Sequence, residues 1–152
     1  MERRLKEEQI TKKIISWLEI NGWNIICFDF PQSGTGIVLH PNVRIAGSKN
    51  KNTIIPDIIA VKNSVAVFFE NKDRFCINDF RKLSDIREFN THSDSINKIL
   101  MEFSYKHIYY GVGLPISASE KANLNKNMVD FIITTDTKSI FVLHQIENIF
   151  LT

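Results

Sequence analysis

The sequence predicts an α/β fold in which helices flank a central mixed β-sheet. Near the N-terminus apolar residues recur at helical spacing, and short apolar runs rich in branched and aromatic residues follow. The segments come in the order α-β-β-β-α-β, and a final pair of strand-like runs completes the chain. We therefore expect a strand-rich core covered by a few helices.

Size and composition favour one domain spanning residues 1–152. With 43% hydrophobic residues, the chain has enough apolar surface to form a core without disulfides or metals as staples. Its 19 basic and 17 acidic residues give a net charge of only +2, which does not by itself indicate a nucleic-acid partner.

Cysteine usage and the N-terminus indicate a cytoplasmic protein. Cys27 and Cys76 lie among apolar residues and form no C-x-x-C pair, so neither a zinc site nor a disulfide framework is expected. The N-terminus is charged, and no apolar run approaches the roughly 18 residues that a membrane helix needs. We expect no membrane association.

The first two elements are a helix and a strand. Residues 2–21 carry apolar side chains mostly three and four positions apart and end at Asn21-Gly22, which predicts an amphipathic helix. Trp23–Phe30 is short and rich in aromatic and branched residues, which predicts a strand. A long loop follows to about Thr53, with room for a short strand at Ile37–Leu39.

The next stretch, residues 54–75, reads as two strands joined by a tight turn at Lys62-Asn63-Ser64. Helices are predicted at 79–89 and 95–106, with Asp79 and Ser95 as plausible caps, and another buried strand at 108–114. The runs 129–135 and 139–145 predict a terminal hairpin around Asp136-Thr137-Lys138. Five aromatic residues are expected in the core: Phe68, Phe69, Phe80, Phe89 and Phe103.

Charged residues lie where the middle hairpin should be apolar. Glu70 follows the run VAVFF, and Lys72 comes two positions later. Since side chains alternate along a strand, Glu70 and Lys72 share one face and Asn71 points away. Asp57 opens the neighbouring strand, so the tight turn would bring it alongside Glu70. Buried charges need partners, and two carboxylates suit a hydrated Mg²⁺, with Mn²⁺ as a substitute.

The residues Pro56-Asp57 and Glu70-Asn71-Lys72 resemble the signature of the PD-(D/E)XK nuclease superfamily, over about residues 5–114. The resemblance implies a restriction endonuclease-like core and metal binding by Asp57, Glu70 and the backbone carbonyl of Asn71. It implies a catalytic role for Lys72 and a further acid on the first helix. Helical phase favours Glu7 over Glu8, although both also suit a solvated first turn.

Several residues are candidates for contact with DNA. The loop after the first strand carries small, hydrogen-bonding and basic side chains: Gln32, Ser33, His40, Arg44, Lys49 and Lys51. Arg81 and Lys82 lie on the helix after the Glu70 strand, where one of them would assist at the phosphate. A plain turn and a solvated helix face are the alternative interpretations, and Asp73-Arg74 suits a local ion pair.

The sequence thus predicts a Mg²⁺-dependent endodeoxyribonuclease acting on double-stranded DNA, with a type II restriction endonuclease as the leading type. Such an enzyme would be a homodimer, because cutting two strands needs two active sites. A Holliday junction resolvase or a DNA repair nuclease is the alternative. A function of another class, a non-catalytic DNA-binding module with the same fold, is disfavoured by the intact set of Asp57, Glu70 and Lys72.

Overall fold

A computed structural model describes residues 5–29, 36–37, 39 and 53–150. Four α-helices and six strands lie in this part of the chain. The bounds of these elements, in chain order, are α1 Glu7–Ile20, β1 Asn24–Phe28, β2 Ile58–Lys62, β3 Val65–Asn71, α2 Ile77–Phe89, α3 Ser93–Leu100, β4 His107–Pro115, α4 Ser119–Leu124, β5 Phe131–Thr135 and β6 Ile140–Gln145.

The six strands form one sheet in chain order, from β1 to β6. The first three strands are antiparallel, β3, β4 and β5 are parallel, and β6 returns antiparallel to β5. The predicted α/β class with a mixed sheet and flanking helices is therefore confirmed. Through β4 the elements follow the predicted order, and α2 and α3 correspond to the two helices predicted before the fourth strand.

Each face of the sheet packs against its own apolar cluster. On one face Ile10 and Ile14 of α1 pack with Phe69 of β3. On the other face Phe80 and Leu83 of α2 pack with the neighbouring β3 residue Phe68, and α3 and α4 contribute to the same cluster. Because side chains alternate along a strand, odd-numbered residues of β3 face α1 and even-numbered residues face α2.

Both predicted hairpin turns are confirmed. Asn63 and Ser64 have φ values of 50° and 71°, so two consecutive left-handed residues connect β2 to β3, as in tight hairpins. In the terminal hairpin Oδ1 of Asp136 accepts hydrogen bonds from the backbone N–H groups of Lys138 at 2.7 Å and Ser139 at 2.6 Å. The predicted stop of the first helix is also confirmed, since Asn21 caps α1 and Gly22 has φ 86°.

Three details of the prediction are wrong. The helix predicted at 95–106 ends at Leu100; by Lys106, whose backbone N–H donates to Ser64 O at 2.6 Å, the chain has already reached the start of β4. Asp79 and Ser95 are not caps; the helices begin earlier, after Cys76 and His92. The polar segment before the terminal hairpin contains α4, which was not predicted.

The predicted core is confirmed at Phe68, Phe69 and Phe80, which are fully buried, and Phe103 is partly buried. Phe89 is wrong, because its side chain is 72% exposed at the last residue of α2, beyond the packed part of the helix. Cys27 and Cys76 are both free, as expected. The loop strand predicted at Ile37–Leu39 reduces, in the described residues, to an antiparallel bridge between Leu39 and Ile54.

Candidate active site

The site begins where β2 and β3 meet at one end of the sheet. Ile58 is the residue that pairs with Phe69, so Asp57 and Glu70 lie one position beyond this pair on adjacent strands. The backbone N–H of Asp57 donates to Phe69 O at 3.0 Å, and the backbone N–H of Asn71 donates to Oδ2 of Asp57 at 2.6 Å. The hairpin ladder thus fixes the two carboxylates side by side.

The side chains of Glu70 and Asn71 point to opposite faces of the sheet, as the alternation predicts. Glu70 faces α2, where its Oε1 lies 3.1 Å from Nζ of Lys82. Asn71 faces α1 and donates from Nδ2 to Oγ1 of Thr11 at 3.1 Å. A Cβ on Gly113 of the neighbouring β4 would lie 2.3 Å from Oδ1 of Asn71, so only glycine leaves room for this amide.

Asp57 and Glu70 are buried carboxylates whose charges are poorly compensated. Their exposed fractions are 7% and 6%. Burial, and then the charge of Glu70, raises the pKa of Asp57 to about 8, although the N–H of Asn71 lowers it. Burial also raises the pKa of Glu70, against the lowering effect of Lys82. The protein alone therefore favours at least one proton on this pair at neutral pH.

Lys72 lies within electrostatic reach of several acids. Burial lowers its pKa, but the carboxylates of Asp79, Glu7 and Glu70 outweigh burial, so the pKa of Lys72 is raised overall. Lys72 is also tied to the sheet, because its backbone N–H donates to Gly113 O at 3.0 Å. A positive charge is thus held beside the paired carboxylates.

Glu7 and Glu8, both in the first turn of α1, have different surroundings. Burial raises the pKa of Glu7, and the nearest opposing influence is the positive charge of Lys72. Glu8 instead forms an ion pair with Lys12 at 2.9 Å on the helix surface. The structure therefore places Glu7 toward the site and Glu8 away from it.

Asp79 is a residue that sequence reasoning missed as part of the site. It lies in the first turn of α2, its exposed fraction is 9%, and its Oδ2 is buried without a hydrogen-bond partner in the described residues. Its charge raises the pKa of both Glu70 and Lys72, so Asp79 acts electrostatically on both groups. The available signal was its spacing of three residues before Lys82, which puts both side chains on one helix face.

The two basic residues predicted on this helix separate in the structure. Lys82 reaches Glu70, whereas Arg81 is exposed and lies outside the cluster. Arg74 pairs with Asp73 at 3.8 Å, next to the strand end. Six of the predicted DNA-contacting residues lie outside the described part of the chain: Gln32, Ser33, His40, Arg44, Lys49 and Lys51.

The carboxylates fit a cation that keeps most of its water. No group of three or more His, Cys, Asp or Glu side chains within the described ranges is arranged to enclose a metal ion. Mg²⁺ needs fewer, since it is commonly held by one or two carboxylates and several waters. Oε1 of Glu70 is buried and contacts only the partly solvated ammonium of Lys82 among the described residues, and Asp57 lies on the next strand. The backbone carbonyl of Asn71, between Glu70 and Lys72, remains the third predicted ligand.

No helix among residues 5–29 and 53–150 has both the length and the apolar character needed to cross a membrane. Comparisons of the chain with family models, with curated proteins and with solved structures gave no match. Functional inference therefore depends on the geometry and chemistry of the site itself.

Proposed function

We propose that this protein is a magnesium-dependent endodeoxyribonuclease with a restriction endonuclease-like fold. The single observation that carries the proposal is the pair of buried carboxylates, Asp57 and Glu70, at adjacent strand ends. Burial and mutual repulsion raise the pKa of Asp57 to about 8, so the nearby ammonium groups of Lys82 and Lys72 do not supply enough positive charge for both carboxylates. A divalent cation would supply that charge and remove the cost of ionising both groups.

In this proposal Asp57, Glu70 and the carbonyl of Asn71 hold the cation. When bound, Mg²⁺ supplies Lewis-acid polarisation of the phosphoryl oxygen and lowers the pKa of a coordinated water. The hydrogen bond from Asn71 N–H to Oδ2 of Asp57 holds that carboxylate in place. The hairpin ladder fixes the backbone from which the Glu70 side chain extends, so both ligands start from defined positions before substrate binds.

Lys72 and Glu7 complete the proposed chemistry. The charge of Lys72 stabilises the negative charge that develops on the phosphate or orients the attacking water. In this proposal Glu7, on α1, positions the ammonium of Lys72, since each charge favours ionisation of the other.

The proposed substrate is double-stranded DNA, and the proposed enzyme type is a type II restriction endonuclease acting as a homodimer. The match of Pro56-Asp57 and Glu70-Asn71-Lys72 to the nuclease signature supports the chemistry. The long segment between β1 and β2 supports recognition of a specific DNA sequence, since it carries basic and hydrogen-bonding residues. A minimal resolvase core would not need such a segment.

Incubation with Mg²⁺ and DNA of several forms tests the proposal. The substrates are a set of linear duplexes of varied sequence and a four-way junction, each with an EDTA control. Discrete fragments from duplex DNA, lost in EDTA, are the expected result. Cleavage of the junction alone would replace the restriction assignment by a resolvase. The absence of Mg²⁺-dependent cleavage from every substrate would contradict the nuclease proposal.

A binding measurement separates an enzyme from a non-catalytic DNA-binding module. For a nuclease, D57N abolishes cleavage while the affinity for duplex DNA, measured in Ca²⁺, stays within about threefold, because phosphate contacts supply most of the affinity. For a binding module, wild-type protein and D57N both bind DNA and neither cleaves it. Unchanged cleavage by D57N would remove Asp57 from the site.

A further inference from the structure

The α2 helix presents an acid and a base to the site one turn apart. Asp79 and Lys82 are three residues apart, so their side chains are neighbours on one helix face. Nζ of Lys82 lies 3.1 Å from Oε1 of Glu70. The Lys82 side chain is 37% exposed, whereas that of Glu70 is 7% exposed. The partly solvated ammonium of Lys82 thus contacts the buried carboxylate of Glu70.

The ammonium of Lys82 contacts a carboxylate oxygen of Glu70, the group that would also hold a cation in the proposed site. The contact is an ion pair with a partly solvated ammonium, and within the described residues no donor other than Lys82 reaches Oε1. A carboxylate oxygen in this state remains open to a stronger cationic partner. Two positive charges within a few ångströms repel each other, so Lys82 and a divalent cation compete for Glu70.

Asp79 supplies a second position for the same ammonium. Its Oδ2 is buried and has no hydrogen-bond partner among residues 5–29 and 53–150. A buried, unpaired carboxylate oxygen is costly, and such atoms are few in native proteins. Lys82 is one helical turn from Asp79 and has a long side chain. Rotation about its side-chain bonds can therefore move its ammonium from Glu70 to Asp79 without movement of the backbone.

We propose that Lys82 is an internal counter-ion that occupies Glu70 in the metal-free protein and transfers to Asp79 when a divalent cation binds. The inference rests on the proposed function, since it takes Glu70 as a metal ligand. In the metal-bound state both acids are then neutralised, Glu70 by the cation and Asp79 by Lys82. Lys82 and Asp79 are positioning residues in this scheme, because they act on the cation through Glu70.

Mn²⁺ binding to four proteins tests the exchange: wild type, K82M, D79N and the double variant. We expect K82M to bind Mn²⁺ more tightly, by about tenfold, because the competing ammonium is gone. We expect D79N to bind it more weakly, by about tenfold, because Lys82 has no second position. In the K82M background the effect of D79N should shrink to less than about threefold, since the two residues act on one step.

If D79N lowers the Mn²⁺ affinity equally in the wild-type and K82M backgrounds, the exchange is overturned. Such a result would mean that the negative charge of Asp79 acts on the cation directly, without Lys82. That result leaves the nuclease proposal intact, provided that wild type binds Mn²⁺ and E70Q does not. A wild-type protein without an E70Q-sensitive Mn²⁺ site would overturn both. Isothermal titration calorimetry measures all of these affinities without DNA or catalysis.

Thermal melting of D79N gives a second test that does not depend on folding of K82M. In the metal-free protein Oδ2 of Asp79 is buried without a hydrogen-bond donor among the described residues, so D79N should melt at the wild-type temperature or higher. In saturating Mn²⁺ the upward shift of the melting temperature should be smaller for D79N than for wild type. A D79N that melts lower without metal, with an unchanged Mn²⁺ shift, would contradict the exchange.

Discussion

The two β-hairpins of the sheet each begin with a buried aspartate, and the surroundings of these two acids differ. Asp130 precedes β5 and is 5% exposed; Asp57 precedes β2 and is 7% exposed. Oδ1 of Asp130 accepts a hydrogen bond from Nη1 of Arg87 at 3.0 Å, and Oδ2 accepts one from the Tyr110 N–H at 2.9 Å. Asp57 has one backbone donor and, beside it, another carboxylate.

The difference teaches that burial of an acid is not by itself a sign of a functional site. Asp130 is a structural group, because an arginine and a backbone N–H match both of its oxygens. Asp57 and Glu70 share a deficit of positive charge that the fold does not remove, and such imbalance is common where a protein binds metals or catalyses proton transfer. The comparison therefore separates structural from functional acids by their partners.

The largest expected effect is on cleavage. D57N or E70Q should lower the rate constant for DNA cleavage by about 10³-fold or more, because each removes a charge that stabilises the transition state. D130N is the matched control, since it also replaces a buried aspartate. Measured at a temperature where the variant is folded, its cleavage per folded molecule should stay near wild type. A comparable loss in D130N would erase the distinction between the two acids.

The next effect is on the free energy of unfolding, which D130N and D57N should change differently. D130N should lower the free energy of unfolding by about 3 kcal/mol, because it leaves Arg87 facing a buried group without charge. D57N in metal-free protein should change it by less than about 1 kcal/mol or raise it, because it removes an uncompensated charge. Urea denaturation measures both values. Equal losses would show that Asp57 is compensated in the same way as Asp130.

Two glycines of β4 allow a test of the region between the hairpins. A Cβ on Gly113 would meet Asn71 at 2.3 Å, and one on Gly111 would meet Phe131 at 2.3 Å. G113A and G111A should each lower the free energy of unfolding by about 1–3 kcal/mol through overpacking. Only G113A should also lower cleavage by folded protein, since Asn71 adjoins the site. Loss of cleavage in G111A but not in G113A would contradict the claim that the contact of Gly113 with Asn71 supports the site.

The raised pKa of Asp57 has a consequence for stability in the absence of metal. A carboxyl with a pKa near 8 keeps a proton that the unfolded chain, with a pKa of 3.8, has lost. Between about pH 4 and pH 8 the folded state then binds more protons, so the free energy of unfolding falls as pH rises. In D57N the total fall in the free energy of unfolding across this pH window should be smaller by at least about 1.4 kcal/mol. Parallel pH curves for wild type and D57N would contradict the raised pKa.

The smallest expected effect distinguishes the two acids at the start of α1. E7Q should lower the cleavage rate by about tenfold, because Glu7 positions the ammonium of Lys72 and removing a positioning group has effects of this size. E8Q is the matched control, since Glu8 pairs with Lys12 on the surface and such pairs contribute little. Single-turnover cleavage rates decide between them, and equal rates for the two variants would exclude Glu7.

Much of the fold was predictable because it depends on local patterns. The turn at Asn63-Ser64, the stop at Asn21-Gly22 and the alternation around Glu70 follow from backbone sterics and strand geometry that short segments encode. The residues after α3 were predicted wrongly, since Lys106 is not helical and its N–H pairs with the carbonyl of Ser64, which is distant in the sequence. Segment type followed from the sequence, and segment ends depended on tertiary contacts.

The candidate site was predictable only in part. Asp57, Glu70 and Lys72 stand out as charges in apolar strands, but Asp130 stands among apolar residues in the same way. What separates these acids is the partner that each meets in space, and Arg87 lies 43 residues from Asp130 along the chain. Asp79 was missed for the same reason, because its place beside Glu70 and Lys72 depends on how α2 packs on the sheet.

The central claim is that Asp57 and Glu70 form an acid pair that needs a divalent cation. Calorimetric titration of Mg²⁺ into wild type, D57N and D130N at about pH 8 tests it most directly, because there the pair is partly ionised. We expect saturable binding to wild type and D130N, and a loss of about tenfold or more in affinity in D57N. Binding that is equal in all three proteins, or absent from wild type, would contradict the claim.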